Sequence, residues 1–178
     1  MLYSIILACT FNGGIGYDNR IPWHIKSELL LFKQITCNID VYKTNVIIMG
    51  RKTWESLPYK PLKSRINIVI TRDKNFINYD NVISFSNLER AFDFCEHNTN
   101  INKVYVIGGK SIYDECINNS LFSNNIENIY LSIIYKYYTC NCFINLKYIL
   151  QNFFCNINTV LFNSQFLHMK MTKKQLIN

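Results

Sequence analysis

Three nearly uninterrupted apolar segments constrain the fold of this chain more than any other feature. They cover residues 3–9, 66–71 and 103–107 and are rich in Ile and Val. Short apolar runs of this kind are typical of strands that are covered on both faces, as in a parallel sheet. Residues 45–49 and 128–135 are further β-branched strand candidates. We therefore predict a mainly parallel central sheet.

Helix signals lie between these strand candidates. They occur in residues 27–33, 51–54, 88–97 and 110–113, with Asn87 as a candidate N-cap. Strands that alternate with helices favour an α/β domain.

The C-terminal part of the chain has a different pattern. Beyond residue 128 the helix signals fade, and the apolar segments 153–162 and 166–172 are expected to pair as antiparallel strands. The Asn-rich stretches at 98–102 and 118–128 are interpreted as surface turns.

Length and composition exclude several protein classes. The chain has 178 residues, of which 49% are hydrophobic and 17% are charged, so it can bury a sizeable core and does not resemble a disordered tail. No segment reaches the ~18 uninterrupted apolar residues of a membrane span. The apolar start has no basic region that would mark a signal peptide. We expect a single domain over residues 1–178, located in the cytoplasm.

Cysteine usage and charge narrow the function classes. The seven cysteines form no Cys-x-x-Cys motif, which favours reduced thiols over structural zinc, and no metal is expected. The net charge of +7 comes from dispersed basic residues. It suits a small polyanionic ligand, nucleic acid, or a solvated surface without a partner.

Two segments have the order strand, glycine, helix start. Gly50 precedes Arg51, and Gly108-Gly109 precede Lys110. Each places backbone N–H groups and a cation where an anion could bind. A glycine at such a place more often serves chain reversal alone. Neither segment is a GxGxxG motif or a P-loop, but two such turns after buried strands favour a nucleotide crevice.

A glycine-rich loop and one acidic residue are the other candidates. Residues 13–23 contain Gly13, Gly14 and Gly16 and end in Pro-Trp, which fits a lid over a ligand site as well as an ordinary surface loop. Glu28 lies in the first turn of an apolar helix, where the helix dipole alone would explain it. A carboxylate that faces an apolar cavity instead has a raised pKa and can bind a cationic heterocycle.

Taken together, these residues resemble the dihydrofolate reductase family from the first strand to about Ile134. The matching blocks, in the family's order, are Gly14–Gly16, Ile21–Trp23, Glu28 with Phe32, Met49–Ser56, Pro61–Asn67, and Val106–Gly109 with Tyr113. The resemblance implies a three-layer α/β fold with a mostly parallel sheet of about eight strands, an antiparallel C-terminal pair and about four flanking helices. It also implies a cis peptide between Gly108 and Gly109.

The resemblance implies reduction of 7,8-dihydrofolate to 5,6,7,8-tetrahydrofolate with NADPH as cofactor, for one-carbon metabolism. Hydride goes to pterin C6 and a proton to N5, with water admitted by the lid as donor while Glu28 polarises the pterin. Further partners implied are antifolates such as methotrexate, without nucleic acid or membrane. The chain is expected to be a monomer unless it is part of a longer reductase–thymidylate synthase chain.

Site residues are carried over by position. The catalytic set is Glu28, Trp23, Ser132 and Tyr113, in which Ser132 stands for the family's usual Thr and supports the carboxylate. The substrate set is Ile6, Ala8, Glu28, Phe32, Leu57, Leu62, Arg65, Ile107 and Ser132, with Arg65 pairing with a carboxylate of the glutamate tail. The cofactor set is Ala8, Ile15, Gly16, Gly50, Arg51, Lys52, Thr53, Thr71, Arg72, Gly108, Gly109, Lys110, Ser111, Ile112 and Tyr113.

The sequence departs from the family after residue 135. Asn141–Ile144 stands where the family often has an Asp-Thr pair with aromatics, which leaves the contacts of this segment with the lid open. Two other functions are weighed. A riboflavin-pathway reductase has a similar fold but lacks the Pro-Trp and the acid, so Trp23 and Glu28 argue against it. A non-catalytic basic binding module would cluster its Lys and Arg residues.

Overall fold

A nine-stranded sheet organises the molecule in the computed structural model, which describes residues 1–37, 42–76, 79–155 and 157–173. The strands are β1 (Tyr3–Thr10), β2 (Gly14–Gly16), β3 (Thr44–Gly50), β4 (Ile66–Ile70), β5 (Val82–Phe85), β6 (Ile101–Val106), β7 (Ile126–Ile134), β8 (Cys142–Phe143), β9 (Phe153–Cys155), β10 (Leu161–Phe162) and β11 (Phe166–Lys173). The helices are α1 (Lys26–Thr36), α2 (Arg51–Ser56), α3 (Leu88–Glu96), α4 (Lys110–Asn118), α5 (Ser120–Ser123) and α6 (Leu146–Asn152), with a 3₁₀ turn at Ile157–Thr159.

The sheet is parallel except at one end. Its order is β10-β11-β7-β1-β6-β3-β4-β5, and β9 pairs with the far part of β11. The pairs among β1, β3, β4, β5, β6 and β7 are all parallel, whereas β11 runs antiparallel to β7, β9 and β10. This confirms the predicted α/β class with an antiparallel C-terminal end. The small pair β2–β8 forms a separate sheet.

Strand alternation divides the apolar side chains between the two faces of the sheet. Ile5 and Leu7 pack in the largest core cluster, and Ile6 packs in a second cluster. In the same way Ile48 belongs to the first cluster and Ile47 to the second. Because successive side chains point to opposite faces, continuous apolar runs are needed where helices cover both faces, as the sequence predicted.

The helix count of about four was wrong, because the described residues form six α-helices. The two missed helices, α5 and α6, begin after asparagines that act as N-caps. The side chain of Asn119 accepts a hydrogen bond from the N–H of Leu121, and that of Asn145 accepts one from Tyr148. Asparagine favours turns and helix N-caps alike, so the Asn-rich stretch 118–128 was misinterpreted as a turn only.

The C-terminal pairing also differs in detail from the prediction. Residues 153–162 do not form one strand. The 3₁₀ turn at Ile157–Thr159 interrupts them, so β9 and β10 each pair with a different part of β11. In the described part of the chain, no helix has both the length and the apolar character to cross a membrane. That residues 1–178 form a single domain stays a prediction.

Leu131 provides a test of the core. It is fully buried in β7, between β1 and β11. We expect Leu131→Ala to lower the free energy of unfolding by about 2–5 kcal/mol, because it removes buried methyl groups and leaves a cavity. Leu121→Ala is the matched control, since Leu121 is 71% exposed, and it should stay within about 0.5 kcal/mol. Urea denaturation measures both; equal losses would contradict the core assignment.

Candidate active site

The ends of β3 and β6 meet closely and form the floor of the candidate site. Pairing continues past the strands, since the N–H of Ile107 donates to the carbonyl of Ile48 at 2.9 Å and that of Gly50 donates to the carbonyl of Gly108 at 2.7 Å. The Gly108–Gly109 peptide is cis, as the resemblance predicted.

Gly108 requires glycine for two reasons. Its φ is +104°, and a Cβ there would lie 2.8 Å from the ring of Tyr113. L-residues rarely adopt that φ, and the buried ring leaves no room. The Tyr113 ring therefore packs directly against the backbone of Gly108, in the turn between β6 and α4.

Tyr113 joins this turn to β1. Its hydroxyl donates to the carbonyl oxygen of Ile6 at 2.9 Å, in a buried position. Burial raises the pKa of the Tyr113 hydroxyl, and the negative charge of Glu28 raises it further. The phenol therefore stays protonated at neutral pH.

Glu28 lies in the first turn of α1, partly buried, against the sheet. Burial raises the pKa of its carboxyl group, and a hydrogen bond from the Ser132 hydroxyl lowers it in part. Ser132 reaches this place because β7 pairs with β1 in parallel, with Ser132 opposite Ala8. Among the predicted residues, Tyr113 is thus hydrogen-bonded to Ile6, and Ser132 acts on the carboxyl group of Glu28.

The apolar members of the predicted substrate set, apart from Ala8, lie in a single cluster, here called the apolar wall. The second core cluster includes the side chains of Ile6, Phe32, Leu57, Leu62 and Ile107. They come from β1, α1, the segments after α2 and before β4, and the end of β6. A flat apolar ring would find its contacts there, next to the carboxylate of α1.

Arg65 lies at the edge of this wall and is only 5% exposed. Its Nη1 donates to Thr36 Oγ1 at 2.6 Å, its Nε donates to the Lys63 carbonyl at 3.1 Å, and its guanidinium lies 5.8 Å from the Phe32 ring centroid. Burial lowers the pKa of the guanidinium from its ordinary value, but arginine keeps its charge in proteins. A fixed, buried cation of this kind is suited to a carboxylate.

Asn67 is a positioning residue that the sequence analysis missed. It is fully buried in β4, and its side chain exchanges hydrogen bonds with the backbone of Leu62, at 2.9 and 3.0 Å, and donates to the carbonyl of Arg65 at 3.0 Å. It therefore holds the loop that carries both substrate candidates. A polar residue inside an apolar strand run was the available signal, because buried amides are hydrogen-bonded.

Three members of the predicted cofactor set, Arg51, Thr71 and Arg72, lie at or just beyond neighbouring strand ends. Gly50 pairs with Ile70 in register, so Arg51 and Thr71 leave the sheet side by side. Arg51 Nη1 lies 3.4 Å from a carboxylate oxygen of Asp73, whose N–H donates to Thr71 Oγ1 at 3.1 Å. Arg72 is exposed in this loop. The acid Asp73 was not considered in the sequence analysis.

The remaining cofactor candidates surround the start of α4. Its N-cap is Gly109, which supplies no side chain to the first-turn N–H groups, and no acidic residue lies in that turn. Thr53 lies beside this turn, since a Cβ added at Gly109 would be 3.1 Å from the Thr53 hydroxyl oxygen. Ser111 is exposed, Ile112 is buried, and Lys110 forms an ion pair with Asp114. Lys52 is exposed at the start of α2.

The predicted lid contacts the divergent segment after residue 140. β2 pairs with β8, the N–H of Asn141 donates to the Gly16 carbonyl at 3.0 Å, and its side-chain amide donates to Asp18 at 2.8 Å. This answers the question that the sequence left open. Ile15 is partly buried against the main core.

Trp23, at the end of the lid, is 9% exposed and packs with Ile25, Ile134 and Phe166. Ala8 lies against the same cluster. Trp23 is thereby anchored beside Ala8 of β1, which is the residue opposite Ser132 of β7. Its assignment to the catalytic set stays a prediction, as do the other assigned roles.

Comparison with known proteins gives the same family. The sequence profile described as "Dihydrofolate reductase" matches residues 2–159. The chain belongs to the dihydrofolate reductase family. It is 35% identical over 157 residues to dihydrofolate reductase of Pneumocystis carinii, covering 82% of this chain and 74% of that protein. It is 34% identical over 146 residues to dihydrofolate reductase of Heliothis virescens, covering 79% and 77%.

A longer relative shares the same region. The chain is 40% identical over 143 residues to the bifunctional dihydrofolate reductase-thymidylate synthase of Paramecium tetraurelia, covering 80% of this chain but 28% of that protein. The chain thus spans about a quarter of the bifunctional relative and about three quarters of the shorter ones. The family consists of oxidoreductases and generally uses NADPH.

The raised pKa of Glu28 predicts a stability difference that depends on pH. Below the ordinary glutamate pKa of about 4.3, folded and unfolded chains are both protonated at this site. As pH rises through the folded-state value, the unfolded chain releases the proton first, so the folded state loses stability. Glu28→Gln has no such charge to desolvate. We expect its free energy of unfolding to increase relative to the parent chain as pH goes from 4 to 8.

Urea denaturation at several pH values measures this difference. Glu89→Gln is the control, because Glu89 is an exposed acid in the first turn of α3, and it should show no such gain. A difference for Glu28→Gln that is constant or shrinks with pH would contradict the burial of a charged group there.

Proposed function

We propose that this chain reduces 7,8-dihydrofolate to 5,6,7,8-tetrahydrofolate with NADPH in the cytoplasm, and that Glu28 binds the pterin. The observation that carries the proposal is the Glu28 carboxylate, which is partly buried beside the Ser132 hydroxyl and the apolar cluster of Ile6, Phe32 and Ile107. A carboxylate has two acceptor oxygens, which match the ring N–H and 2-amino group of a pterin as a bidentate, charge-assisted pair.

Each further substrate group has a partner on this chain. The rings of the pterin and benzoyl groups match the apolar wall, to which Leu57 and Leu62 also belong. Arg65 is a buried cation at the edge of that wall, and its planar guanidinium is suited to a carboxylate of the glutamate tail. The substrate is thereby held at its two ends, which fixes the position of the ring between them.

The residues present fit NADPH. The start of α4 has N–H groups without a side-chain cap and without an acid in its first turn, which suits a phosphate. Arg51 and Arg72 lie near the end of β3 and after β4, where they would hold the 2′-phosphate. Gly108 and Gly109 allow the nicotinamide end to approach the sheet without a Cβ in the way. When bound, NADPH supplies the hydride that is transferred to the pterin.

The chain's own residues provide orientation and charge. Glu28 fixes the pterin and polarises it toward protonation at N5, and the lid that ends at Trp23 controls the access of the water that donates the proton. Tyr113 stays neutral and holds the turn at Gly108 against β1. The +7 net charge suits two polyanionic ligands and requires no nucleic acid. The proposal concerns reduction alone, whatever else the natural chain carries.

The decay of NADPH absorbance with dihydrofolate tests the proposal. We expect turnover that methotrexate blocks, and we expect Glu28→Gln to lower kcat/KM by about 100-fold or more while the NADPH dissociation constant changes little. The reason is that Glu28, on α1, acts on the pterin, whereas the phosphate residues belong to other elements, at Arg51 of α2 and the start of α4.

Three results would contradict these roles. Equal losses of turnover and of NADPH affinity in Glu28→Gln would remove Glu28 from the pterin site. NADPH binding without turnover of dihydrofolate would favour a riboflavin-pathway type of substrate or a non-catalytic protein. Binding of neither ligand would overturn the proposal as a whole.

Arg72 provides a separate test of cofactor choice. We expect Arg72→Ala to reduce the preference for NADPH over NADH, expressed as the ratio of kcat/KM values, by about 10- to 100-fold, because one charge-assisted contact with the 2′-phosphate is lost. Lys74→Ala is the matched control, since it removes an exposed positive charge from the same loop. Steady-state kinetics with both cofactors gives the ratio. An equal change in both variants would show a general field effect only.

A further inference from the structure

His168 is a buried histidine that the proposed mechanism does not use. It lies on β11 directly opposite Ser132 of β7 in the antiparallel register. Its Nδ1 is 3.0 Å from Ser132 Oγ, and the two residues are 4% and 2% exposed. Because both side chains are buried, this hydrogen bond is part of the core and does not compete with water.

The Ser132 hydroxyl has two partners but only one proton. It lies near enough to Glu28 to lower the pKa of that carboxyl group by hydrogen bonding, and its Oγ is 3.0 Å from His168 Nδ1. A hydroxyl donates one hydrogen bond and accepts two, whereas an ionised carboxylate only accepts. If Ser132 donates to Glu28, then the proton between Ser132 and His168 must be carried by Nδ1.

The surroundings of His168 keep the ring neutral. Its ring stacks on that of Tyr130, with centroids 6.2 Å apart and planes at 19°, and burial lowers the pKa of the imidazole to about 4. The titratable groups around this chain of contacts include Tyr113 from α4, Tyr105 from β6, Tyr130 and Glu127 from β7, and Lys170, whose Nζ lies 5.9 Å from the centre of the Tyr130 ring. A neutral imidazole carries one N–H, so its two tautomers have opposite effects on Ser132.

We propose that His168 is a positioning residue for Glu28: its Nδ1–H donates to Ser132 Oγ and thereby turns the single Ser132 hydroxyl proton toward the Glu28 carboxylate. This inference rests on the proposed function only for its effect on catalysis. Two hydrogen bonds in series polarise each other, so the imidazole strengthens the bond that supports the ionised form of Glu28. The alternative tautomer would draw the Ser132 proton away from the carboxylate.

The tautomer can be measured in the unmodified protein. Two-dimensional ¹⁵N–¹H correlation of the histidine rings, without any ligand, distinguishes Nδ1–H from Nε2–H. We expect His168 as the neutral Nδ1–H tautomer at pH 7. Observation of Nε2–H would overturn the proposal, and this measurement requires no variant.

Two substitutions test the effect on Glu28. His168→Phe keeps an aromatic ring against Tyr130 but has no nitrogen, whereas His168→Asn places an amide donor near the position of Nδ1. We expect the carboxyl pKa of Glu28 to rise by about half a unit to one unit in His168→Phe, as one neutral hydrogen bond is lost, and to rise less in His168→Asn. Titration of ¹³C-labelled glutamate follows this value, with Glu28→Gln assigning the signal.

The outcomes separate this proposal from the proposed function. An unchanged Glu28 pKa in His168→Phe, or the same rise in both variants, would overturn the role of His168 whether or not the chain reduces dihydrofolate. Absence of turnover in the parent chain would contradict the proposed function, while the spectra would still decide the hydrogen bond. Where turnover is present, its pH profile should shift in His168→Phe with NADPH affinity unchanged; an identical profile would overturn the role.

Discussion

The partial burial of the Glu28 carboxylate is the constraint on which the rest of the site depends. An acid at the start of an apolar helix is stable inside a protein only if other groups offset the loss of water. The sheet brings these groups together from elements far apart in sequence. Ser132 lies beside the carboxylate because β7 pairs with β1, and Tyr113 reaches the Ile6 carbonyl of β1 because β6 continues into the Gly108–Gly109 turn and α4. The parallel topology is therefore needed for the chemistry as well as for the core.

The burial of Glu28 serves the proposed function but lowers the stability of the folded state. The raised pKa of Glu28 means that the folded state tolerates the charged form less well than water does, so the group proposed to bind the pterin destabilises the protein in which it lies. A stability cost of this kind is characteristic of functional sites. Arg65 shows the same opposition, since burial lowers the pKa of its guanidinium, and its contacts with Thr36 and the Phe32 ring offset part of that cost.

The core of the fold was predictable because its signals are local. Each two-sided strand needs a continuous apolar run, and β1, β4 and β6 all lie within a residue or two of the segments proposed from the sequence. The two missed helices have ambiguous signals, because asparagines such as Asn119 and Asn145 favour a turn as readily as an N-cap. The interruption of residues 153–162 depends on where β11 lies, and a pairing partner on another strand leaves no mark in the local pattern.

The sequence proposes the members of the candidate site but not the contacts between them. Glu28, Ser132, Arg65 and the glycines follow from the family's order of motifs. Asn67 and His168 were missed, although each is a polar residue in an otherwise buried strand, and such a residue signals a specific partner. The sequence cannot identify that partner, because His168 meets Ser132 only through the register of β11 on β7. A one-residue slip of that register would turn the imidazole to the other face. The antiparallel end of the sheet therefore does more than close the fold, because its register determines which side chain contacts Ser132.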